Sequence, residues 1–417
     1  MGKYHLPNMI DSYSISEICK MKNLQNRPHA QKNSLVENCG MTFKDELAIV
    51  SHYLQNKGTE SALPYSYEAK RIMSELISDN SSLAEGMACE SRMAEVDMFA
   101  DFFHVPFLPK EDADFTFIDL FAGIGGFRLA MQAVGGKCIF SSEFNEPAQK
   151  TYFANYGDMP FGDITLDETK RYIPENFDVL CAGFPCQAFS IIGKQQGFAD
   201  TRGTMFFEIQ KILQSHKPKA IFMENVKQLV THDKGNTFKV ILGILADLGY
   251  HVKWKVLNAL NFGVPQKRER VIIVGFLDKK KADAFSFDFE KKPYDLSKIL
   301  QDDAVVDKSL FVSDRILQKR KDSTKDKKVF YPSIWHENKA GNISVLDYAC
   351  ALRTGASYNY LLVNGYRRPS SRELLRLQGF PEEFRIVVSH QEIRKQTGNS
   401  VAVPMMTEVA KRIKALL

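Results

Sequence analysis

The sequence predicts an α/β fold built on a mostly parallel sheet. Three observations carry this. Short apolar runs recur from Phe115 onward, at 117–121, 137–141, 177–182, 220–223 and 271–276. Segments of helical periodicity fall between them, the clearest over 237–248, which stops at Gly249. The first apolar run ends in a glycine turn, Phe121-Ala122-Gly123-Ile124-Gly125-Gly126, that opens a helix over 127–134. Apolar runs alternating with helices are the pattern of parallel strands joined by crossovers.

The flanking regions read differently. Residues 1–112 are polar and rich in Ser, Asn, Glu and Met, with helix-like stretches near 43–56 and 66–100 and a capped helix start at Ser14-Ile15-Ser16-Glu17. They are expected to form a helical extension of unknown role, joined through an acidic-apolar linker at 102–114. The strand–helix rhythm holds over 113–280 and breaks afterwards. Residues 278–370 carry many Lys and Asp residues and no clear βαβ unit. They include a basic cluster at Arg315-Ile316-Leu317-Gln318-Lys319-Arg320-Lys321 and 325–328. This suits a phosphate-contacting surface of a second, smaller domain at 281–395. Helical patterning returns at 372–377 and from Val403, and residues 396–417 are expected to complete the larger domain.

Composition narrows the class. The chain has 417 residues, 44% of them hydrophobic and 25% charged, values ordinary for globular proteins. No apolar run is long enough to span a bilayer, and the first residues lack the layout of a signal peptide. The seven cysteines are odd in number, with no Cys-x-x-Cys pair. No disulfide framework or zinc site is indicated, so a reducing cytoplasm is expected and no metal. A net charge of +5 permits a polyanionic partner without requiring one.

Six places carry candidate chemistry. In Gly183-Phe184-Pro185-Cys186-Gln187, proline fixes the turn after an apolar strand, and Cys186 is held as a candidate nucleophile. The glycine turn has the setting of a nucleotide-binding loop, but Arg128 stands where the dinucleotide fingerprint has its third glycine. A nucleoside without a pyrophosphate fits better. Glu143, just past the second strand, is suited to accept ribose hydroxyls. Asp163, after a third strand, is suited to an adenine amino group. Glu224 leaves an apolar strand toward the ligand crevice, where burial suits it to proton donation. Arg268 and Arg270, two apart, share one face of a strand and can point into one anionic or carbonyl-rich pocket.

In this order the blocks resemble the cytosine-C5 methyltransferase family. The resemblance covers about 115–417. It rests on the 117–126 turn, Glu143, Gly162-Asp163-Ile164, Gly183 to Gln187, Gly203-Thr204-Met205-Phe206, Glu224-Asn225-Val226, 266–270, 372–381 and Gln396-Thr397-Gly398-Asn399-Ser400-Val401. It implies the Rossmann-like fold of S-adenosylmethionine-dependent methyltransferases, with the smaller domain reading the DNA target.

The resemblance also implies roles for single residues. Cys186 would attack C6 of cytosine, Glu224 would protonate or hydrogen-bond N3, Arg270 would contact the base carbonyl, and Arg268 would bind backbone phosphate. Phe121, Gly123, Gly125, Glu143, Phe144, Asp163, Pro185 and Asn399 would hold S-adenosylmethionine. The loop after the nucleophile would close on double-stranded DNA through Gln187, Ser190, Ile192 and Lys194, with Ile192 as a wedge beside a flipped base. The chain is expected to act as a monomer on DNA; family members of this build often accompany a separate restriction endonuclease, and some stand alone. The variable region 281–370 departs from the family in one detail: a Thr-Leu or Thr-Val pair near its end is replaced by Ala351-Leu352. A transfer-RNA cytosine methyltransferase and a catalytically silent DNA-binding regulator are alternatives on this fold. Intact Cys186, Glu224 and Arg270 speak against the regulator.

Overall fold

The computed structural model describes residues 43–84, 105–185 and 205–417. Its centre is a six-stranded sheet: β1 (Phe115–Leu120), β2 (Gly136–Ser142), β3 (Val179–Gly183), β4 (Ala220–Val226), β5 (His251–Asn258) and β7 (Glu269–Phe276), in the order β2-β1-β3-β4-β7-β5. Strand β6 (Gln266–Lys267) pairs elsewhere. Five strands of the sheet run one way. β7 runs against both its neighbours, so the sheet is mostly parallel, as the apolar runs suggest.

Strands β1 to β4 are apolar on both faces because both are covered. On one side Ile118, Leu120, Phe140 and Leu180 pack with Ile209 of α5 (Met205–His216) and Ile241 of α6 (Asn236–Asp247). On the other, Phe117, Cys181 and Phe222 pack with Phe127 and Met131 of α3 (Gly126–Gln132) and with Met405 and Val409 of α10 (Val403–Lys414). Two differences from the sequence reading stand out. Hydrophobic patterning does not reveal β5. It is a sheet edge in which Lys253, Trp254 and Lys255 stay partly or fully exposed, so it lacks an apolar run. The third strand expected before Asp163 is a single bridge between Ser142 and Phe161. Pro160, which has no N–H to give a ladder, sits beside it.

Sequence order places the site. The chain runs from β1 outward to β2, then returns past β1 to β3. The turns after β1 and β3 therefore leave neighbouring strands in opposite directions and open a crevice at the carboxyl ends of the sheet.

Two helices precede the sheet, α1 (Phe43–Asn56) and α2 (Leu63–Ala84). Every residue of α1 from Ala48 to Leu54 is buried, and the pair shares the core of the α5 and α6 face. The hairpin also closes the free edge of β2 with side chains. Tyr65 Oη donates to the Ile139 carbonyl at 2.7 Å, and His52 Nε2 accepts the Ser141 N–H at 3.1 Å. His52 Nδ1 lies 2.8 Å from the Ala48 carbonyl. A peptide N–H can only donate, so Nε2 is the acceptor and Nδ1 carries the proton. An edge strand with unmet backbone groups invites pairing with another chain, and the hairpin removes that opening.

The remaining elements form a smaller body. An antiparallel sheet has the order β11-β8-β9, from β8 (Ile334–Glu337), β9 (Ile343–Leu346) and β11 (Leu361–Val363). β10 (Ala349–Cys350) pairs in parallel with β6 and ties this body to the large sheet. Helices α7 (Asp314–Asp322), α8 (Ser371–Arg376) and α9 (His390–Asn399) flank it. A core containing Ile124, Tyr152, Leu352, Leu361, Leu374 and Phe380 runs between the glycine turn and this body. Among the described residues no helix is long and apolar enough to cross a membrane. Nor is there, among them, a group of three or more His, Cys, Asp or Glu side chains able to hold a metal ion.

Candidate active site

The glycine turn is tightly bent. Phe121 has φ 55°, Gly123 φ 57° and Gly125 φ 80°. For Phe121, a non-glycine in the left-handed region, this conformation costs on the order of 1–3 kcal/mol, and such strain gathers at ligand sites. Gly125 has a second reason to be glycine: an added Cβ would lie 2.3 Å from the Tyr156 ring, whose hydroxyl donates to the Gly125 carbonyl at 2.8 Å. Gly123 is the opposite case. A Cβ there would meet nothing within 4 Å, so the turn presents open backbone.

Arg128, in place of the third glycine, is fully buried. Its guanidinium pairs with Asp158, bonds Gln132 Oε1 at 2.6 Å and Tyr152 Oη at 3.1 Å, and lies 4.7 Å from the Tyr156 ring centroid. It also reaches Gln55 Oε1 of α1 at 3.1 Å. The hairpin is thereby connected through Arg128 and Tyr156 to the turn.

Glu143 closes the turn from the side of β2. Its Oε2 accepts the Gly123 N–H at 2.8 Å and its Oε1 the Asn145 N–H at 2.7 Å. Burial raises its pKa, and these backbone donors oppose the rise. Each oxygen keeps a lone pair for another donor. Beside it the Phe144 ring is 79% exposed. Phe161 bonds the end of β2 through both backbone groups, to the Ser141 carbonyl and the Glu143 N–H. This brings Asp163 alongside, its Oδ1 taken by the Thr165 N–H at 2.9 Å. Asn399 ends α9 as an exposed residue, and the next two residues pack on the glycine helix: a Cβ on Gly126 would meet Val401 at 2.6 Å.

The second half of the site lies one strand over. In the register of β3 and β4, Gly183 pairs with Glu224. Past Gly183, Phe184 is buried and Pro185 exposed. Asn225 Nδ2 donates to the Phe184 carbonyl at 2.8 Å and so fixes the backbone just before Cys186, a role the sequence blocks alone do not assign. Cys186, Gln187, Ser190, Ile192 and Lys194 lie outside the described residues. Glu224, 8% exposed, has Oε1 at 2.7 Å from Arg270 Nε of β7. That oxygen receives no aligned hydrogen bond, so charge and proximity hold the pair.

Arg268 corrects the sequence reading. It is 1% exposed, and its guanidinium donates to the carbonyls of Leu352 and Gly398 at 3.2 Å each and to that of Ser400. Burial lowers its pKa to about 9, with neighbouring Arg270 adding to the effect. A side chain spent on three internal carbonyls has no access to a DNA phosphate. Sequence spacing puts Arg268 and Arg270 on one strand face but does not reveal that the 352 and 398–400 segments cover the first of them. Gln266 belongs to the same junction. Its Oε1 accepts the Leu352 N–H at 3.0 Å and its Nε2 donates to the Leu377 carbonyl. Asp119 on β1 is a further residue that the sequence motifs do not single out. It is fully buried, neither oxygen has a hydrogen-bond partner among the described residues, and burial raises its pKa well above the carboxylate range.

Known proteins match this arrangement. Residues 115–415 match the model of the C-5 cytosine-specific DNA methylase family. The chain is 56% identical over 301 residues to the Type II methyltransferase M.HaeII of Haemophilus aegyptius, covering 71% of this chain and 92% of that protein. It is 48% identical over 329 residues to the Type II methyltransferase M.HpaII of Haemophilus parainfluenzae, covering 73% and 90%. Among solved structures, a putative DNA modification methyltransferase encoded within an Escherichia coli prophage aligns with TM-score 0.53 at 21% identity, over 73% of this chain and 99% of the other. Spodoptera frugiperda DNMT2 aligns with TM-score 0.53 at 18% identity, over 72% and 99%. These two speak to the fold alone. With the family model spanning the sheet, the glycine turn and the Glu224–Arg270 pair, the chain belongs to the C-5 cytosine-specific DNA methylases and is a DNA cytosine-5 methyltransferase.

Proposed function

We propose that this enzyme methylates C5 of a cytosine flipped out of a specific short duplex sequence, through a covalent bond from Cys186 to C6, with S-adenosylmethionine as donor. The observation that carries the reading is the Gly183–Glu224 register with Arg270 against Glu224. It sets an acid and its cationic partner next to the root of the Cys186 loop.

The residues present suit the cofactor. Gly123 leaves open space, Glu143 keeps a lone pair on each oxygen for ribose hydroxyls, and Phe144 offers an uncovered ring face for adenine. Phe121, Gly125, Asp163, Pro185 and Asn399 complete the set. When bound, S-adenosylmethionine supplies an electrophilic methyl group.

The protein's own residues do the rest. C5 of cytosine is a weak nucleophile. Bond formation between the Cys186 sulfur and C6 pushes electron density to C5, and Glu224 holds a proton at N3 to stabilise the ring. Arg270 fixes Glu224 and faces the base carbonyl. Loss of the C5 proton and departure of the Cys186 thiolate then restore the aromatic ring. Gln187, Ser190, Ile192 and Lys194 are assigned to the loop that holds the opened duplex. Arg268 is assigned to positioning, since it joins the two bodies. The enzyme acts as a monomer on DNA, and any cognate restriction endonuclease acts separately.

Bisulfite sequencing of DNA from a methylation-free host tests this. Protected cytosines should fall in one short recurring sequence and vanish with Cys186→Ala. Protection retained by the variant would remove Cys186 as nucleophile. Protection absent from DNA but present in host transfer RNA would move the substrate to RNA.

A further inference from the structure

Three arginines gather where the smaller body meets α9, and none of them pairs with a carboxylate among the described residues. Arg368 and Arg394 stack on Tyr358, with guanidinium carbons 4.2 and 4.6 Å from its ring centroid. Arg353 lies 5.3 Å from the centroid of Tyr360. Together with His390 these side chains line one cleft. Their polar contacts are to neutral groups. Arg368 donates to Asn359 Oδ1 at 2.8 Å and to the Ser309 carbonyl at 3.0 Å, and Arg394 approaches the Ser357 carbonyl at 3.4 Å. His390 Nδ1 lies 2.9 Å from Ser371 Oγ, while its Nε2 is buried without a partner.

An anion in the cleft would relieve the repulsion among these cations. Like charges repel, and stacking on tyrosine offsets only part of that. Elsewhere in the same body arginines have carboxylates: Arg367 is paired with Glu373 and Asp303, Arg376 with Glu382, and Arg320 with Glu337. Arg353, Arg368 and Arg394 lack one among the described residues and share one cleft. Guanidinium forks held by aromatic rings match phosphate oxygens.

Location selects the source of the phosphate. Leu352, next to Arg353, and Gly398, one turn beyond Arg394 on α9, both offer their carbonyls to Arg268. The backbone at Arg353 and Thr354 also packs on Gly398, where an added Cβ would lie 2.7 Å from the Thr354 nitrogen. The cleft therefore belongs to the junction between the two bodies, on the same tie as Arg268, which lies two residues before the Arg270 that pairs with Glu224.

We propose that Arg353, Arg368 and Arg394, ordered by Tyr358 and Tyr360, clamp a backbone phosphate of duplex DNA next to the target cytosine. The proposal rests on the DNA-methylating function above.

Equilibrium binding to duplex DNA across a salt series tests it, with the full chain carrying Arg353→Gln and Arg394→Gln together. Arg368 is left in place because its backbone contacts brace the loop. Binding to cognate and unrelated duplexes should weaken by the same factor, about tenfold or more. The slope of log affinity against log salt should fall by about 1–2. S-adenosylmethionine binding and the methylated sequence should not change. Lys279→Gln with Lys280→Gln, at an exposed helix start, removes equal charge and should leave the slope near wild type. An unchanged slope in the arginine variant, an equal drop in the lysine control, or a loss confined to the cognate duplex would each overturn the clamp. Free inorganic phosphate displacing DNA from wild type and variant alike would also count against it. If wild type itself binds no duplex, the functional reading fails first and the clamp with it.

Discussion

Glu224 of β4 and Arg270 of β7 meet across antiparallel strands, Oε1 to Nε at 2.7 Å, with both side chains about nine-tenths buried. The strand register puts Arg270 opposite Val226, two residues past Glu224. The pair is thus a diagonal contact built into the one reversed strand of the sheet. Removing either partner strands a charge. Glu224→Gln keeps the shape and should slow methyl transfer by about 100-fold or more with S-adenosylmethionine affinity retained. Arg270→Ala should additionally destabilise the fold by roughly 3–5 kcal/mol. Single-turnover transfer alongside denaturant unfolding separates the two effects. Wild-type turnover in Glu224→Gln would rule out its proton role.

Glu143 trades stability for binding. Burial raises its pKa, so its ionised form at neutral pH opposes folding; that cost is absent below the unfolded value and is complete once pH has passed the folded one. Glu143→Gln removes that cost but leaves the Gly123 or the Asn145 N–H without its acceptor, so the two effects on stability oppose each other, while S-adenosylmethionine binding should weaken by roughly 1–3 kcal/mol. Calorimetric titration at several pH values reads this directly. Wild-type affinity should fall as pH drops toward the raised pKa, above 4.5, and that dependence should vanish in the variant.

The hairpin edge contacts give a stability series. Tyr65→Phe removes one donor from the Ile139 carbonyl and should cost about 1 kcal/mol. His52→Ala leaves the Ser141 N–H unmet and a cavity behind, at a cost of about 2–4 kcal/mol. Burial lowers the His52 pKa from 6.5, against the pull of Asp158. Its contribution to stability is therefore present above the unfolded value and lost as pH falls below about 6.5. Urea midpoints for wild type and His52→Ala should converge on acidification. Parallel curves would show that His52 does not titrate in this way.

Arg268 separates an internal tie from a phosphate contact. Arg268→Ala leaves the Leu352, Gly398 and Ser400 carbonyls without their donor and should destabilise by about 1–3 kcal/mol for each one left unsatisfied, while the salt dependence of DNA binding per folded molecule stays the same. A stable variant with a reduced salt slope would restore the phosphate role.

The residues legible in the sequence are those whose surroundings are local. The β1 run, its glycine turn and Glu143 announce themselves because a strand, a positive φ and the start of a helix are all set within a few positions. β5 is hidden because Lys253, Trp254 and Lys255 remain partly in solvent, so hydrophobic patterning has little to register. The true setting of Arg268 depends on Leu352, Gly398 and Ser400, far along the chain, and spacing carries no information about such partners. The polar segment before Phe115 misleads in another way. His52, Gln55 and Asn56 look like surface residues in one dimension, yet each meets backbone or side-chain groups of the sheet domain.

Chain order gives the hairpin one more consequence. α1 and α2 leave the ribosome before the strand they cover, and their partners Ile139, Phe161 and Tyr172 emerge only after the glycine turn. Until then Ile49, Val50 and Tyr53 have no surface to rest on, and two short helices alone are marginal in water. The nascent protein thus carries an apolar helix face that has no cover until the sheet strands emerge. Its yield in cells should depend on holdase chaperones during elongation more than on the final stability of the enzyme.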